Sequence, residues 1–269
     1  EIKDMPAAFQ WASEELQDMV TSYEQGESAQ SIAKRYGTSY QVIQPVLVRQ
    51  GVTLRSKREA NKKQKCNERY FQIIDTQEKA YWLGFLTADG CVTRGKKLGD
   101  SPRISLHLGK QEYGHLMKFK QALQASQMIS VNERSCSFTI FSSEMAEDLA
   151  QHGIRPNKTF STKPAQVAID LERHYWRGVI DGDGDFAKSG DSLKLVGDYD
   201  VVLAYQQFVF SYCPQVSANI RKNENIFTFS IRRQATACML QAMYGDAIVS
   251  LERKYRRAQA ILTGAVEET

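Results

Sequence analysis

Two aspartates, Asp89 and Asp183, each close a short apolar segment, and the two segments share one design. The first reads Trp82-Leu-Gly-Phe-Leu-Thr-Ala-Asp89-Gly90, and the second reads Trp176-Arg-Gly-Val-Ile-Asp-Gly-Asp183-Gly184. In each, small residues fall four apart, Gly84 with Ala88 and Gly178 with Gly182, so one face of a helix lacks side chains and another backbone can approach it. Two such faces can pack against each other. Each helix is expected to end at a glycine in the left-handed cap conformation, Gly90 or Gly184. That arrangement sets Asp89 and Asp183 at neighbouring helix C-termini, where the helix dipole disfavours a carboxylate by about 0.3 to 1 kcal/mol before the two acids repel each other. A divalent cation between them removes the conflict. Mg2+ takes oxygen ligands, uses one or two carboxylates and keeps several waters, so Asp89 and Asp183 with the carbonyls of Ala88 and Gly182 form a plausible set. Such ions suit phosphodiester hydrolysis, which needs an activated water and neutralisation of the developing charge.

The elements around these segments repeat as well. After Asp89 the alternation predicts strands over Cys91–Arg94 and Arg103–Leu108, and a helix through Leu116, Phe119 and Leu123. Strands around Met128–Val131 and Ser137–Phe141 and a helix over Ser143–His152 follow. After Asp183 the order returns, with strands over Asp185–Lys188 and Ser192–Val196, a helix over Tyr199–Phe210, strands over Val216–Arg221 and Ile226–Ile231, and a helix over Ala235–Tyr244. Each half is αββαββα, and the 94-residue spacing of the two acids is too long for a solenoid unit. The expected fold is α+β: a pseudo-twofold pair of halves, residues 68–165 and 166–269, whose antiparallel sheets form a saddle with one long groove suited to duplex DNA.

Residues 1–51 are expected to form a small all-α domain. Leu16, Met19, Val20 and Tyr23 make one apolar stripe. Ser28 can cap a second helix carrying Ile32, Ala33 and Tyr36, and Gly37-Thr-Ser39 turns into a third with Val42, Ile43, Val46 and Leu47. The pattern resembles a resolvase-type helix-turn-helix. In that resemblance Ser39, Tyr40, Gln41 and Gln44 face outward for base contacts in a major groove. Pro45 should kink the third helix, and a packing module without DNA contact is the alternative. Residues 52–67 read as a basic linker with Arg55, Lys57, Arg58, Lys62, Lys63 and Lys65 against the single acid Glu59; a solvated charge run is the bland alternative.

Composition bounds the rest. At 269 residues and 42% hydrophobic, the chain can bury a sizeable core. No apolar run reaches membrane-span length, and no secretory pattern opens the sequence, so a cytoplasmic place is expected, in a bacterial or phage-infected cell, or an organelle matrix. The five cysteines form no CxxC pair, which argues against a zinc site or a disulfide scaffold. A net charge of +4 says little by itself about a polyanionic partner.

The two nine-residue segments, each followed by the same element order, resemble the motif of the LAGLIDADG homing endonucleases, in their monomeric two-motif form, across about residues 68–262. The resemblance implies a site-specific endonuclease acting as a monomer on double-stranded DNA. It implies that Asp89 and Asp183 direct cutting of the two strands across the minor groove, leaving short 3′ overhangs. Mg2+ is the implied ion, with Mn2+ able to substitute and Ca2+ binding without turnover. It also implies a lysine after the third helix of each half, near the scissile phosphate; Lys158 and Lys254 hold that place, 69 and 71 residues after their acids. His107 falls where the family often has a water-positioning polar residue, with Leu195 as its counterpart when Gly109 is aligned with Gly197. Asp181, Asp185 and Asp198 are expected to cap helices or face solvent. A DNA-binding regulator or an RNA maturase on a non-cleaving scaffold is the alternative. Retention of both acids favours the enzyme.

Overall fold

The computed structural model describes residues 11–24, 27–54, 65–95, 100–156, 163–187 and 189–264. The chain divides into two compact units, residues 1–63 and 64–269.

The first unit has three helices, α1 (Ser13–Glu24), α2 (Ala29–Arg35) and α3 (Tyr40–Arg49). Ser28 is the N-cap of α2, its hydroxyl accepting from the Ser31 amide at 3.1 Å. Met19, Tyr23, Ile32, Ala33, Ile43 and Leu47 form a closed core, the apolar stripes expected from spacing. Outside it, Arg35 donates to Asp18, Ser22 and Glu27 and ties the first two helices together. Helix α3 runs through Pro45 without ending. Pro45 and Gln41 are both exposed, so the carbonyl four residues back that loses its amide partner is solvated rather than buried.

The second unit holds two αββαββα halves. The first is α4 (Gln77–Asp89), β1 (Gly90–Thr93), β2 (Arg103–Gly109), α5 (Tyr113–Ala122), β3 (Ser130–Val131), β4 (Ser135–Phe141) and α6 (Ser143–Gln151). The second is α7 (Glu172–Asp183), β5 (Gly184–Phe186), β6 (Ser192–Gly197), α8 (Tyr199–Tyr212), β7 (Arg221–Asn223), β8 (Ile226–Arg232) and α9 (Gln234–Tyr244), followed by a further helix, α10 (Glu252–Thr263). The sheets are antiparallel with matching orders, β1-β2-β4-β3 and β5-β6-β8-β7. One core serves both halves, with aromatic side chains at its centre: Trp82 packs on Phe119, and Trp176 on Tyr205 and Phe208. The main chain of residues 65–67 is already fastened to this unit, the Lys65 amide donating to Ser126 Oγ at 2.8 Å and the Asn67 amide to the Leu123 carbonyl at 2.8 Å.

Several expectations are corrected. The strand placed over Val216–Arg221 is Arg221–Asn223, because the chain stays in irregular structure after the Pro214 turn. Helix α10 was not anticipated. Its sequence carries five charges, and its apolar stripe, Tyr255, Ala258 and Leu262, is short and only partly buried against the core. Gly90 and Gly184 are extended (φ −72° and −81°) and start strands rather than adopting the left-handed cap. Glycine is needed there for room: a Cβ would lie 2.4 Å from the Leu86 carbonyl oxygen at Gly90 and 2.7 Å from that of Ile180 at Gly184.

Candidate metal centre and nucleic-acid interface

The pair α4 and α7 is the axis of the unit. A Cβ on Gly84 would lie 2.0 Å from the Tyr175 carbonyl oxygen, and one on Gly178 would lie 2.1 Å from that of Tyr81. Both partners are related by the same 94 residues that separate the two acids, so the contact is a local twofold. Hydrogen bonds repeat the symmetry. The Tyr81 hydroxyl donates to Asp181 Oδ2 at 2.8 Å, and the equivalent Tyr175 hydroxyl donates to Thr87 Oγ1 at 3.3 Å.

The backbone contact carries the helices to a shared end. A Cβ on Gly182 would meet Ala88 Cβ at 2.3 Å and Asp89 Oδ2 at 3.3 Å. Thus Asp89, Ala88 and Gly182 are gathered in one place, with Asp183 next along α7. Asp183 is exposed and Asp89 half-buried. Two negative helix ends and two carboxylates converge there, the arrangement that a divalent cation relieves. Among the described residues no group of three or more His, Cys, Asp or Glu side chains could hold a metal. An ion at this place would therefore draw on the two carboxylates, backbone carbonyls and oxygens from water or a bound phosphate, a donor set that suits Mg2+. The missing side chain at Gly182 is what lets the Ala88 methyl and the Asp89 carboxylate come this close to α7.

Lys254 lies behind this end. It is 5% exposed, and its Nζ donates to the carbonyls of Ile180 and Gly184, each at 2.6 Å. Burial pushes its ammonium down to about 8, against the pull of Asp181, Asp89 and Asp185. A cation there offsets the negative end of α7 and the acids beside it. Lys158, its counterpart in the first half, lies outside the described residues, as do Arg55, Lys57, Arg58, Lys62 and Lys63; Lys65 is described and exposed.

Asp181 does not cap or face solvent. It is 1% exposed and accepts from the Tyr244 hydroxyl (2.6 Å), the Tyr81 hydroxyl and the Leu251 amide (2.6 Å). Burial raises its carboxyl, and those three donors with the Lys254 ammonium oppose the rise. Because Leu251 precedes α10, Asp181 fixes the helix that delivers Lys254. Asp185 is exposed and lies 3.7 Å from Lys194, and Asp198 occupies the N-cap position of α8.

Sequence reasoning missed two further buried groups. His115 Nε2 lies 3.0 Å from the Tyr81 hydroxyl. Since that hydroxyl gives its proton to Asp181, the imidazole donates from Nε2, and Nδ1 keeps a lone pair without a partner among the described residues. Burial pulls His115 down to about 3. Arg177, fully buried, donates to the carbonyls of Val249 and Met243 and to Gln77, with its carbon 5.4 Å from the Tyr81 ring centre. Tyrosines six residues before Thr87 and Asp181 were the available signal for the cross-helix bonds; nothing local marked His115 or Arg177.

His107 is exposed on β2, one step from Leu106, the register partner of Gly90. Its counterpart is Val196 rather than Leu195. Leu106 pairs with Gly90 and Phe138 as Leu195 pairs with Gly184 and Phe229, so the glycine alignment slips by one residue. In the first unit, Ser39, Tyr40 and Gln41 are exposed at the start of α3 and Gln44 is half-buried.

The second unit is thus a duplicated α+β fold with its acids at the joint of the two motif helices. A family described as a helix-turn-helix domain matches residues 13–62. Among solved structures, the chain is similar to the LAGLIDADG meganuclease I-AabMI bound to uncleaved DNA, at 11% identity over 69% of this chain and 89% of that one, with a TM-score of 0.46. It is similar to the meganuclease I-SmaMI bound to uncleaveable DNA, at 12% identity over 68% and 88%, with a TM-score of 0.49. The LAGLIDADG homing endonuclease I-SmaMI bound to cleaved DNA gives 12% identity over 71% and 89%, with a TM-score of 0.48. No curated protein matches the chain. No helix among the described residues is long and apolar enough to cross a membrane.

Proposed function

We propose that the chain is a site-specific double-strand DNA endonuclease of the LAGLIDADG homing type, acting as a monomer and hydrolysing one phosphodiester per strand across the minor groove. The observation that carries this is the meeting of Asp89, Ala88 and Gly182, with Asp183 beside them, at abutting helix ends within one chain that supplies two equivalent sheets. Divalent ions held there, with Mg2+ as the working ion, would supply water activation and charge neutralisation. The chain's own residues do the rest. Asp89 and Asp183 present one carboxylate to each strand, and the Gly84–Gly178 contact fixes their separation. Lys254 and Asp181 hold the end of α7 in place, and Lys158 would serve the first half. His107 is assigned to orienting water beside Asp89. The first unit and the basic stretch after it, with Ser39, Tyr40, Gln41 and Gln44 toward base edges, would lengthen the bound DNA.

The test is incubation of the full chain with a randomised duplex library in Mg2+ and sequencing of the cut ends. Recovery of one site cut on both strands with short 3′ overhangs, lost in EDTA, is expected. Binding without any cleavage in Mg2+ or Mn2+ would make the chain a regulator on a non-cleaving scaffold.

A further inference from the structure

The two sheets differ in the chemistry of the faces turned away from the core. We propose that the second half makes the larger, more stringent guanine-directed part of DNA recognition, while the first half, with a single arginine on this face, reads its share of the duplex mainly through hydroxyls. This rests on the DNA-cleaving function proposed above.

Side chains alternate across each sheet. On β4, Cys136, Phe138 and Ile140 are buried, which turns Ser135, Ser137 and Thr139 to the open face. On β8, Phe229 and Ile231 are buried, and Thr228, Ser230 and Arg232 take the open face. The register aligns the halves residue by residue. Ser130 pairs with Ser137 as Arg221 pairs with Thr228, and Arg103 pairs with Phe141 as Ser192 pairs with Arg232. Where the first half has Ser130 and Phe141, the second therefore has Arg221 and Arg232. The first sheet keeps one guanidinium on this face, Arg103, at the outer end of β2.

Arg221 and Arg232 are exposed and have no ion pair among the described residues, whereas Lys194 lies beside Asp185. An arginine fork matches the two acceptors on a guanine edge and discriminates against other bases. A serine or threonine hydroxyl both donates and accepts, so it tolerates several bases.

The experiment selects bound duplexes from a randomised library with the full chain in Ca2+, then compares wild type with Arg221→Gln/Arg232→Gln and with Ser130→Ala/Ser137→Ala. In wild type, one half-site should hold guanine positions preferred by about 5- to 150-fold over other bases. The double glutamine variant loses both the charge and the donor fork, so affinity should weaken and that preference should fall below about 3-fold in the same half-site only. The double alanine variant should shift the other half-site by less than about 3-fold. Guanine preference surviving in the glutamine variant, or equal stringency in both half-sites, would overturn the proposal while leaving the endonuclease assignment intact. Absence of any enrichment by wild type would overturn both.

Discussion

Replacing Gly84 with alanine adds a single methyl, and its consequence follows from the contact it would make. An exposed helix interior favours alanine over glycine by about 1 kcal/mol. At Gly84 that methyl would stand 2.0 Å from the Tyr175 carbonyl oxygen, where ordinary contact begins near 3.4 Å. The obstacle is backbone of a buried helix, so α4 and α7 must part by about 1 Å or more, an overpacking cost of about 1 to 3 kcal/mol. Parting them also stretches the Tyr81–Asp181 bond from 2.8 Å, leaving a buried carboxylate short of a donor at about 1 to 3 kcal/mol. The losses outweigh the propensity gain, and Gly84→Ala should be destabilised by about 2 to 4 kcal/mol. Gly178→Ala should behave alike through the Tyr81 carbonyl at 2.1 Å. Gly114→Ala, with nothing within 4 Å of the new methyl, is the control expected to be neutral or stabilised. Urea denaturation of the second unit measures all three. A Gly84→Ala variant as stable as wild type, with undiminished cleavage, would refute the idea that backbone contact between the motif helices sets the site.

Other perturbations have equally definite outcomes. Asp181→Asn should cost about 2 to 4 kcal/mol, because an amide cannot accept from all three donors of a buried acid, and urea denaturation reads it. His115 has a folded value of about 3, below its ordinary 6.5, so its contribution is complete above pH 6.5 and is lost as pH falls, at about 1.4 kcal/mol per pH unit. Urea midpoints between pH 4 and 7 should therefore fall less steeply for His115→Gln than for wild type. Lys254→Met should slow single-turnover cleavage while weakening DNA binding less than about 3-fold, whereas an unchanged cleavage rate would reduce Lys254 to a packing residue. Removal of residues 1–63, the first compact unit, should shorten the protected footprint and leave cutting intact; an unchanged footprint would make that unit a packing module.

What the sequence revealed depended on how local the signal was. The glycine spacing in the two motifs exposed the helix pair, since a face without side chains is visible in one helix alone, and strict alternation located β2, β4, β6 and β8. Helix α10 stayed hidden because its few apolar positions, Tyr255, Ala258 and Leu262, are interleaved with five charges, one of them the buried Lys254. The burial of Asp181 and His115 stayed hidden for a different reason. Their partners lie on other elements, up to 100 residues away for Tyr81 and Asp181, so residue type alone suggested solvent. Gly90 and Gly184 look like left-handed caps in sequence, yet they serve close packing on the preceding turn, two roles that sequence alone does not separate.

The most direct test of the central claim compares wild type with Asp89→Asn, Asp183→Asn and the double variant on a recovered target duplex, measuring strand cleavage in Mg2+ and binding in parallel. If the two acids at the joined helix ends hold the ions for hydrolysis, the double variant binds the duplex as tightly as wild type or slightly better, since carboxylates near phosphates are removed, and cuts neither strand. Cleavage by the double variant at the wild-type rate would contradict the account.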